Sequence, residues 1–262
     1  MFFHNGICQY YLSLQNHNCV LIICSAMRNN LYISFLRCLA ATALLLLTVS
    51  VMAQTVGYRS FPHYNDMVER YAAEPVPDST QIVMLGNSLT EFGGDWSELL
   101  SAKGIVNRGI IGDDATGIIH RLSQVCSYSP RAIFLECGTN DLSHGLTSRQ
   151  VADSLIVLIQ EIRRQAPSTP LYVQSVFPIN EDFGKWKRLR GRTNDIPAIN
   201  AVVKRYCDEQ GVVYIDVFSR LKDRRSNKMY RPYCADGIHL TPYGYKVWAD
   251  VLRPYIVELK RK

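Results

Sequence analysis

Gln81-Ile82-Val83-Met84-Leu85-Gly86-Asn87-Ser88-Leu89-Thr90 is the stretch on which the reading of this chain turns. A short apolar run rich in β-formers reads as a buried strand over 81–85. It breaks at Gly86 into a small polar cluster that carries one serine. In an open parallel sheet, ligands and reacting groups collect beyond the C-terminal ends of the strands. Ser88 therefore stands in a crevice at the start of the next helix. Taken alone, such a turn more often holds a serine that only caps the helix. Three later stretches change that balance.

Outward from this strand, apolar runs and helical patterns alternate. Residues 105–106 read as a second strand, followed by a loop over 107–114 and a helix over 117–125. Residues 131–136 form a third strand, ending in Cys137-Gly138-Thr139-Asn140-Asp141. Residues 148–164 give the clearest helix: Val151, Leu155, Leu158, Ile159 and Ile162 share one face, Ser148 is placed as N-cap, and Pro167 stops it. A fourth strand over 171–176 leads into a long polar, basic connection over 177–193. A second amphipathic helix, marked by Ile199, Val202, Val203 and Tyr206, closes at Gly211. After a fifth strand over 212–216, Thr241-Pro242 opens a last helix. Residues 55–78 read as a lead-in that packs on the sheet, weakly helical around 67–73. Strands alternating with helices predict a three-layer α/β/α sandwich around a five-stranded parallel sheet in the flavodoxin-like order 2-1-3-4-5.

The 262 residues, 47% hydrophobic and 20% charged, suit one such domain. The first part is read as not belonging to it. Arg28 and Arg37, an apolar run over 39–51 and the small-residue site Val51-Met52-Ala53 describe a secretory signal peptide over 27–53, cut after Ala53. The run is short for a membrane anchor. Residues 1–26 are read as upstream sequence from too early a start, leaving 54–262 as the exported domain. The net charge of +6 includes only two cations from the leader and is too diffuse to suggest nucleic acid. Cys126, Cys137, Cys207 and Cys234 remain in the domain, widely spaced and without a Cys-x-x-Cys pair. They read as buried free thiols rather than a zinc site.

The polar clusters can all face one edge of the sheet. A serine hydroxyl is inert at neutral pH unless a base takes its proton. His239 can be that base, and Asp236, three residues earlier, can hold its tautomer and balance the imidazolium. Gly237 between them permits the tight turn that aims both side chains at one point. Acyl transfer also needs donors for an oxyanion, and the backbone N–H groups of Ser88 and Gly109 with the side-chain amide of Asn140 can supply three. Read singly, each is an ordinary turn residue.

Taken together the blocks Gly86-Asn87-Ser88-Leu89, Asn107-Arg108-Gly109, Gly138-Thr139-Asn140-Asp141 and Asp236-Gly237-Ile238-His239 resemble the SGNH/GDSL hydrolase superfamily, in its order and across the whole domain. The resemblance implies the fold above and ester hydrolysis by Ser88, His239 and Asp236, with no metal and no cofactor. Asn87 stands where the family's name-giving motif has aspartate. The continuation Ile110-Ile111-Gly112-Asp113 looks most like the branch of small acetylhydrolases and carbohydrate acetylesterases. The leading expectation is a serine esterase that removes a short acyl group, acetyl first, from a small-molecule or glycan ester, without stable membrane insertion. The rivals are a lysophospholipase or thioesterase of the same fold, an inactive carbohydrate-binding relative, and a metal hydrolase built on Asp113, Asp114, Asp141 and His144. Basic stretches after strands 4 and 5 (Lys185, Lys187, Arg188, Arg190, Arg192; Arg220, Lys222, Arg224, Arg225, Lys228, Arg231) are either solvated loops or a surface for an anionic glycan.

Overall fold

The structure, a computed structural model, describes residues 58–261. The expected leader, the upstream segment and Cys8, Cys19, Cys24 and Cys38 lie outside the described residues. Five strands, β1 (Ile82–Gly86), β2 (Ile105–Gly109), β3 (Ala132–Glu136), β4 (Leu171–Gln174) and β5 (Val213–Ile215), make one parallel sheet in the order β2-β1-β3-β4-β5. That is the expected order. The three strands of the switch point end in step, Gly86 pairing with Gly109 on one side and with Glu136 on the other. This common ending creates one rim on which three loops meet.

Alternation along each strand divides the core into two layers. Val83, Leu85, Ile133 and Leu135 face α4 (Ala115–His120), α5 (Ser123–Cys126), α7 (Ser148–Gln165) and α8 (Asp195–Gln210). Ile82, Met84, Ala132 and Phe134 face α3 (Trp96–Leu99) and α10 (Pro242–Arg261), where Trp96, Trp248, Leu252 and Ile256 are buried. Both faces are covered, so the strands need no polar side. The short helices α1 (Pro62–Ala73), α2 (Ser88–Glu91), α6 (Thr139–Ser143) and α9 (Phe218–Leu221) complete the order. No helix among the described residues is long and apolar enough to cross a membrane.

Several expected boundaries move, each for a local reason. Strand β2 runs on to Gly109, through residues read as loop, because the Asn107 side chain donates to the carbonyl of Thr90 and Arg108 pairs with Glu74. Thr147, not Ser148, caps α7: its hydroxyl accepts from Gln150 N–H while the Gln150 side chain accepts from Thr147 N–H, a reciprocal capping box. The helix expected over 117–125 breaks at Arg121 into α4 and α5. Gly211 ends α8 in the left-handed region, as expected. Cys126, Cys137, Cys207 and Cys234 are free and buried.

Helix α7 offers a direct test of which face carries the core. Ile159 is fully buried and Val157 is 48% exposed. Ile159→Ala is expected to cost about 2–5 kcal/mol in urea unfolding, the usual range for a truncated core aliphatic. Val157→Ala should stay within about 0.5 kcal/mol.

Candidate active site

The polar turn after β1 is built by Asn87, whose Oδ1 accepts from Leu89 N–H at 2.8 Å and caps α2. Capping is thus done by the asparagine, and Ser88 is left as the first helical residue with its hydroxyl uncommitted to the helix. Ser88 Oγ lies 3.0 Å from His239 Nε2, 151 residues away in sequence. On the far side of the ring, His239 Nδ1 lies 2.9 Å from Asp236 Oδ2. A carboxylate only accepts, so Nδ1 carries the proton and Nε2 is the acceptor that faces the serine hydroxyl.

Asp236 is itself fixed. Its Oδ1 accepts from the backbone N–H groups of Ile238 (3.1 Å) and His239 (3.0 Å), and Lys185 Nζ lies 3.1 Å from Oδ2. Burial works against the charge, but the hydrogen bonds from His239 and these backbone groups outweigh it and hold the carboxyl well below the ordinary range. The turn that permits this runs through Gly237 at φ +110°. A Cβ there would lie 2.9 Å from Asn180 O, so no side chain fits. Phe92 and Trp186 both stand edge-on to the His239 ring, at 5.1 and 5.5 Å, and are 52% and 39% exposed.

The oxyanion donors divide. Asn140 Nδ2 donates one hydrogen to Asp113 O at 2.7 Å, which orients the amide and leaves its second N–H for another acceptor. Ser88 N–H opens α2 with no acceptor among the described residues. Gly109 does not meet its expectation. Its N–H donates to Asn107 Oδ1 at 2.9 Å and its carbonyl accepts from Tyr71 Oη at 2.8 Å. The residue is still part of β2, and its donor is taken. The position that sequence reading passed over is Gly112, at φ +83° in the turn closed by Asp113 N–H to Ile110 O. Its N–H has no acceptor among the described residues. Ile111 N–H, before it, is tied to Glu91 Oε2 on α2, and the carbonyl of Asp113, after it, holds Asn140. Gly112 thus sits between the serine turn and the asparagine. The glycine in Ile110-Ile111-Gly112-Asp113 was the available signal.

The four residues weighed as metal ligands each have other partners. Asp113 forms a fully buried pair with Arg121 (2.8 Å). Asp114 caps α4 through Gly117 N–H and pairs with His144 Nδ1 at 3.0 Å. Asp141 accepts from Ala115 N–H and from Cys137 Sγ. No group of three or more His, Cys, Asp or Glu among the described residues has the arrangement to hold a metal.

A serine, histidine and aspartate in line at the rim of a parallel sheet define a hydrolase-type site, and the family model for GDSL-like lipases and acylhydrolases matches residues 84–247. The chain belongs to that family. Among curated relatives it is 24% identical over 132 residues to the platelet-activating factor acetylhydrolase IB subunit alpha1 of Bos taurus, a match covering 48% of this chain and 56% of that protein. Two solved structures share the fold. A GDSL-like lipase of Bacteroides thetaiotaomicron has TM-score 0.64 at 20% identity, covering 74% of this chain and 97% of that one. A point variant of a Geobacillus acetyl-xylooligosaccharide esterase has TM-score 0.54 at 16% identity, covering 70% and 96%.

Asp141 gives the region a pH signature. Burial, with Asp114 beside it, pushes its carboxyl up from 3.8 to about 7. The folded chain then keeps a proton that the unfolded chain releases near 4, so stability falls as pH rises through about 7. Asp141→Asn keeps the acceptor for Ala115 N–H and should remove its share of that fall, leaving the share of Glu136, whose buried carboxyl is also raised. Thermal midpoints measured from pH 5 to 8 check it: an unchanged slope would assign the proton elsewhere.

Proposed function

We propose that the protein is a serine esterase that removes a short acyl group, acetyl in the first instance, from a polar carrier of carbohydrate type. The observation that carries the reading is the line Ser88 Oγ–His239 Nε2 at 3.0 Å and His239 Nδ1–Asp236 Oδ2 at 2.9 Å. In this reading Ser88 Oγ attacks the ester carbonyl as its proton passes to His239 Nε2, and Asp236 stabilises the imidazolium. The carbonyl oxygen, now negative, takes hydrogen bonds from Ser88 N–H, Asn140 Nδ2 and, in place of Gly109, Gly112 N–H. His239 returns the proton to the departing alkoxide. A water activated by the same imidazole then releases the acid from Ser88. The intact triad weighs against a carbohydrate-binding relative without activity.

The short acyl group is inferred from the walls. The hollow beside the triad turn, bordered by Ile179, Asn180, Gly184, Trp186, Leu189 and Gly237, holds about 10 Å³ and does not include Ser88, and the two longest connections, 177–193 and 218–235, offer no apolar run to line a channel for a methylene chain. The polar carrier is inferred from the aromatic and basic character of the two longest connections. Between them lies a second hollow of about 540 Å³ whose lining includes Lys222, Arg224, Arg225 and Lys228 against the single carboxylate of Glu181. That carboxylate is already engaged by Thr193 and Gly191. Such a lining favours a carrier that bears acid groups, such as a uronic acid polymer. The names of the bovine and Geobacillus relatives, both of which act on acetyl groups, agree with this reading. We further propose export, on the leader pattern over 27–53; protein recovered from an exporting host should begin at Gln54.

One assay series tests the reading. Ser88→Ala should abolish p-nitrophenyl acetate turnover with the fold intact, and Asn140→Ala should lower kcat by on the order of 10²-fold, the usual cost of one oxyanion donor. Across p-nitrophenyl acetate, butyrate, octanoate and palmitate, kcat/KM should fall from acetate onward. A lipid site gains about 0.8 kcal/mol for each buried methylene, so a maximum at octanoate or beyond would replace this proposal by the lysophospholipase reading.

A further inference from the structure

Asn87 stands where the family's motif has an acid, and an acid stands beside it. Glu136 ends β3, in register with Gly86 of β1, and is wholly buried. A Cβ on Gly86 would lie 2.4 Å from Glu136 O, so strands β1 and β3 are in close contact where the serine turn begins. The Asn87 side chain lies against the Glu136 carboxyl, although neither Asn87 Nδ2 nor either Glu136 oxygen reaches the geometry of a full hydrogen bond. Asn87 Oδ1 is committed to Leu89 N–H, so the atom it presents to Glu136 is the amide nitrogen. Donor therefore faces acceptor. The other ionisable groups around this carboxyl are Asp141 on α6, Cys137 next in the chain, and Tyr245 on α10, whose hydroxyl donates to Leu89 O at 2.8 Å.

We propose that Asn87 and Glu136 form one unit that positions Ser88, with the motif's acid moved from the turn to the neighbouring strand. The Glu136 carboxyl holds the Asn87 amide, and the amide oxygen holds the first turn of α2 through Leu89 N–H. Glu136 is a positioning residue that touches no reacting atom, and its role rests on the reading of Ser88 as nucleophile. An aspartate at 87 would keep the cap on Leu89 but set a second carboxyl against Glu136 in a dry interior. Such a pair must share a proton. Burial already raises Glu136 to about 8, so the proton is available near neutrality and is lost on the alkaline side. Exchanging the two side chains instead, acid at 87 and amide at 136, restores a donor against an acceptor at the same net charge and needs no shared proton.

The test is a double-variant cycle read on both activity and thermal midpoint. Asn87→Asp should lower kcat for p-nitrophenyl acetate by about 10- to 100-fold, within the coupling expected of buried neighbours. KM should hold within about twofold, and the loss should deepen from pH 6 to pH 9. Glu136→Gln should stay within about threefold, because the new amide can turn its oxygen toward Asn87 Nδ2. The Asn87→Asp/Glu136→Gln double variant should recover to within about threefold and lose the alkaline dependence. Parental activity in Asn87→Asp at every pH, or a double variant whose losses merely add, would overturn the coupling. If Asn87→Asp does not fold, the double variant decides: folded and active supports the pair, unfolded overturns it. The thermal cycle reads the coupling without reference to catalysis. Activity retained by Ser88→Ala would therefore remove the serine reading while leaving the 87–136 coupling to be judged separately.

Discussion

The buried guanidinium of Arg121 ties the working rim of this molecule together. Arginine keeps its charge under all ordinary conditions, so inside a protein it must be surrounded by acceptors. Here Nη2 donates to Gly86 O at the end of β1 and to Arg108 O near the end of β2, and Nε donates to the Asp113 carboxylate. These acceptors converge only because β1 and β2 finish in step. Asp113, once fixed, offers its carbonyl to Asn140 Nδ2 at the end of β3. One cation thereby sets the spacing of three loops that carry the serine, the Gly112 turn and the asparagine.

The histidine arrives from the other end of the chain and needs its own support. The turn holding Asp236 and His239 is pinned by Asn180 N–H donating to Gly237 O at 2.8 Å, and Asn180 Nδ2 donates to Met229 O. Both long basic connections therefore brace the triad as well as line the larger hollow between them. Helix α2 is held from two more directions, by Tyr245 Oη on Leu89 O and by Glu91, which joins His63 of α1 and Ile111 N–H. The lead-in helix thus reaches the donor loop through Glu91 as well as through Tyr64 and Tyr71, which pack with Ile110. Substitutions at the rim will propagate along these contacts.

How much of this was legible depended on whether apolar character or partnership buried a residue. Strands β1 and β3 were readable because unbroken apolar runs end at a polar turn; the serine and asparagine followed from where those runs stop, and the aspartate and histidine from the Asp-Gly-x-His turn before the last helix. Strand β2 was only half readable. Asn107 and Arg108 look like loop residues, yet Asn107 Nδ2 donates to the carbonyls of Thr90, Glu91 and Gly94, and Arg108 pairs with Glu74 and stacks on Tyr71. The Asn107 side-chain oxygen is what consumes the Gly109 donor, and the free N–H falls instead at Gly112. Arg121 was hidden inside a helical pattern, since nothing in local spacing tells a buried cation from a solvated one. Glu136 was counted as the last residue of a strand, and only the register with Gly86 shows what it underlies.

The central claim is that Ser88 is the nucleophile and that His239 activates it. Reaction with a p-nitrophenyl alkylphosphonate followed by peptide mass spectrometry tests it most directly. The account predicts one covalent phosphonyl adduct per chain, on the peptide carrying Ser88, formed at a rate that collapses in His239→Ala protein of unchanged fold. An adduct on another residue, or labelling of Ser88 that proceeds equally fast without the imidazole, would contradict it.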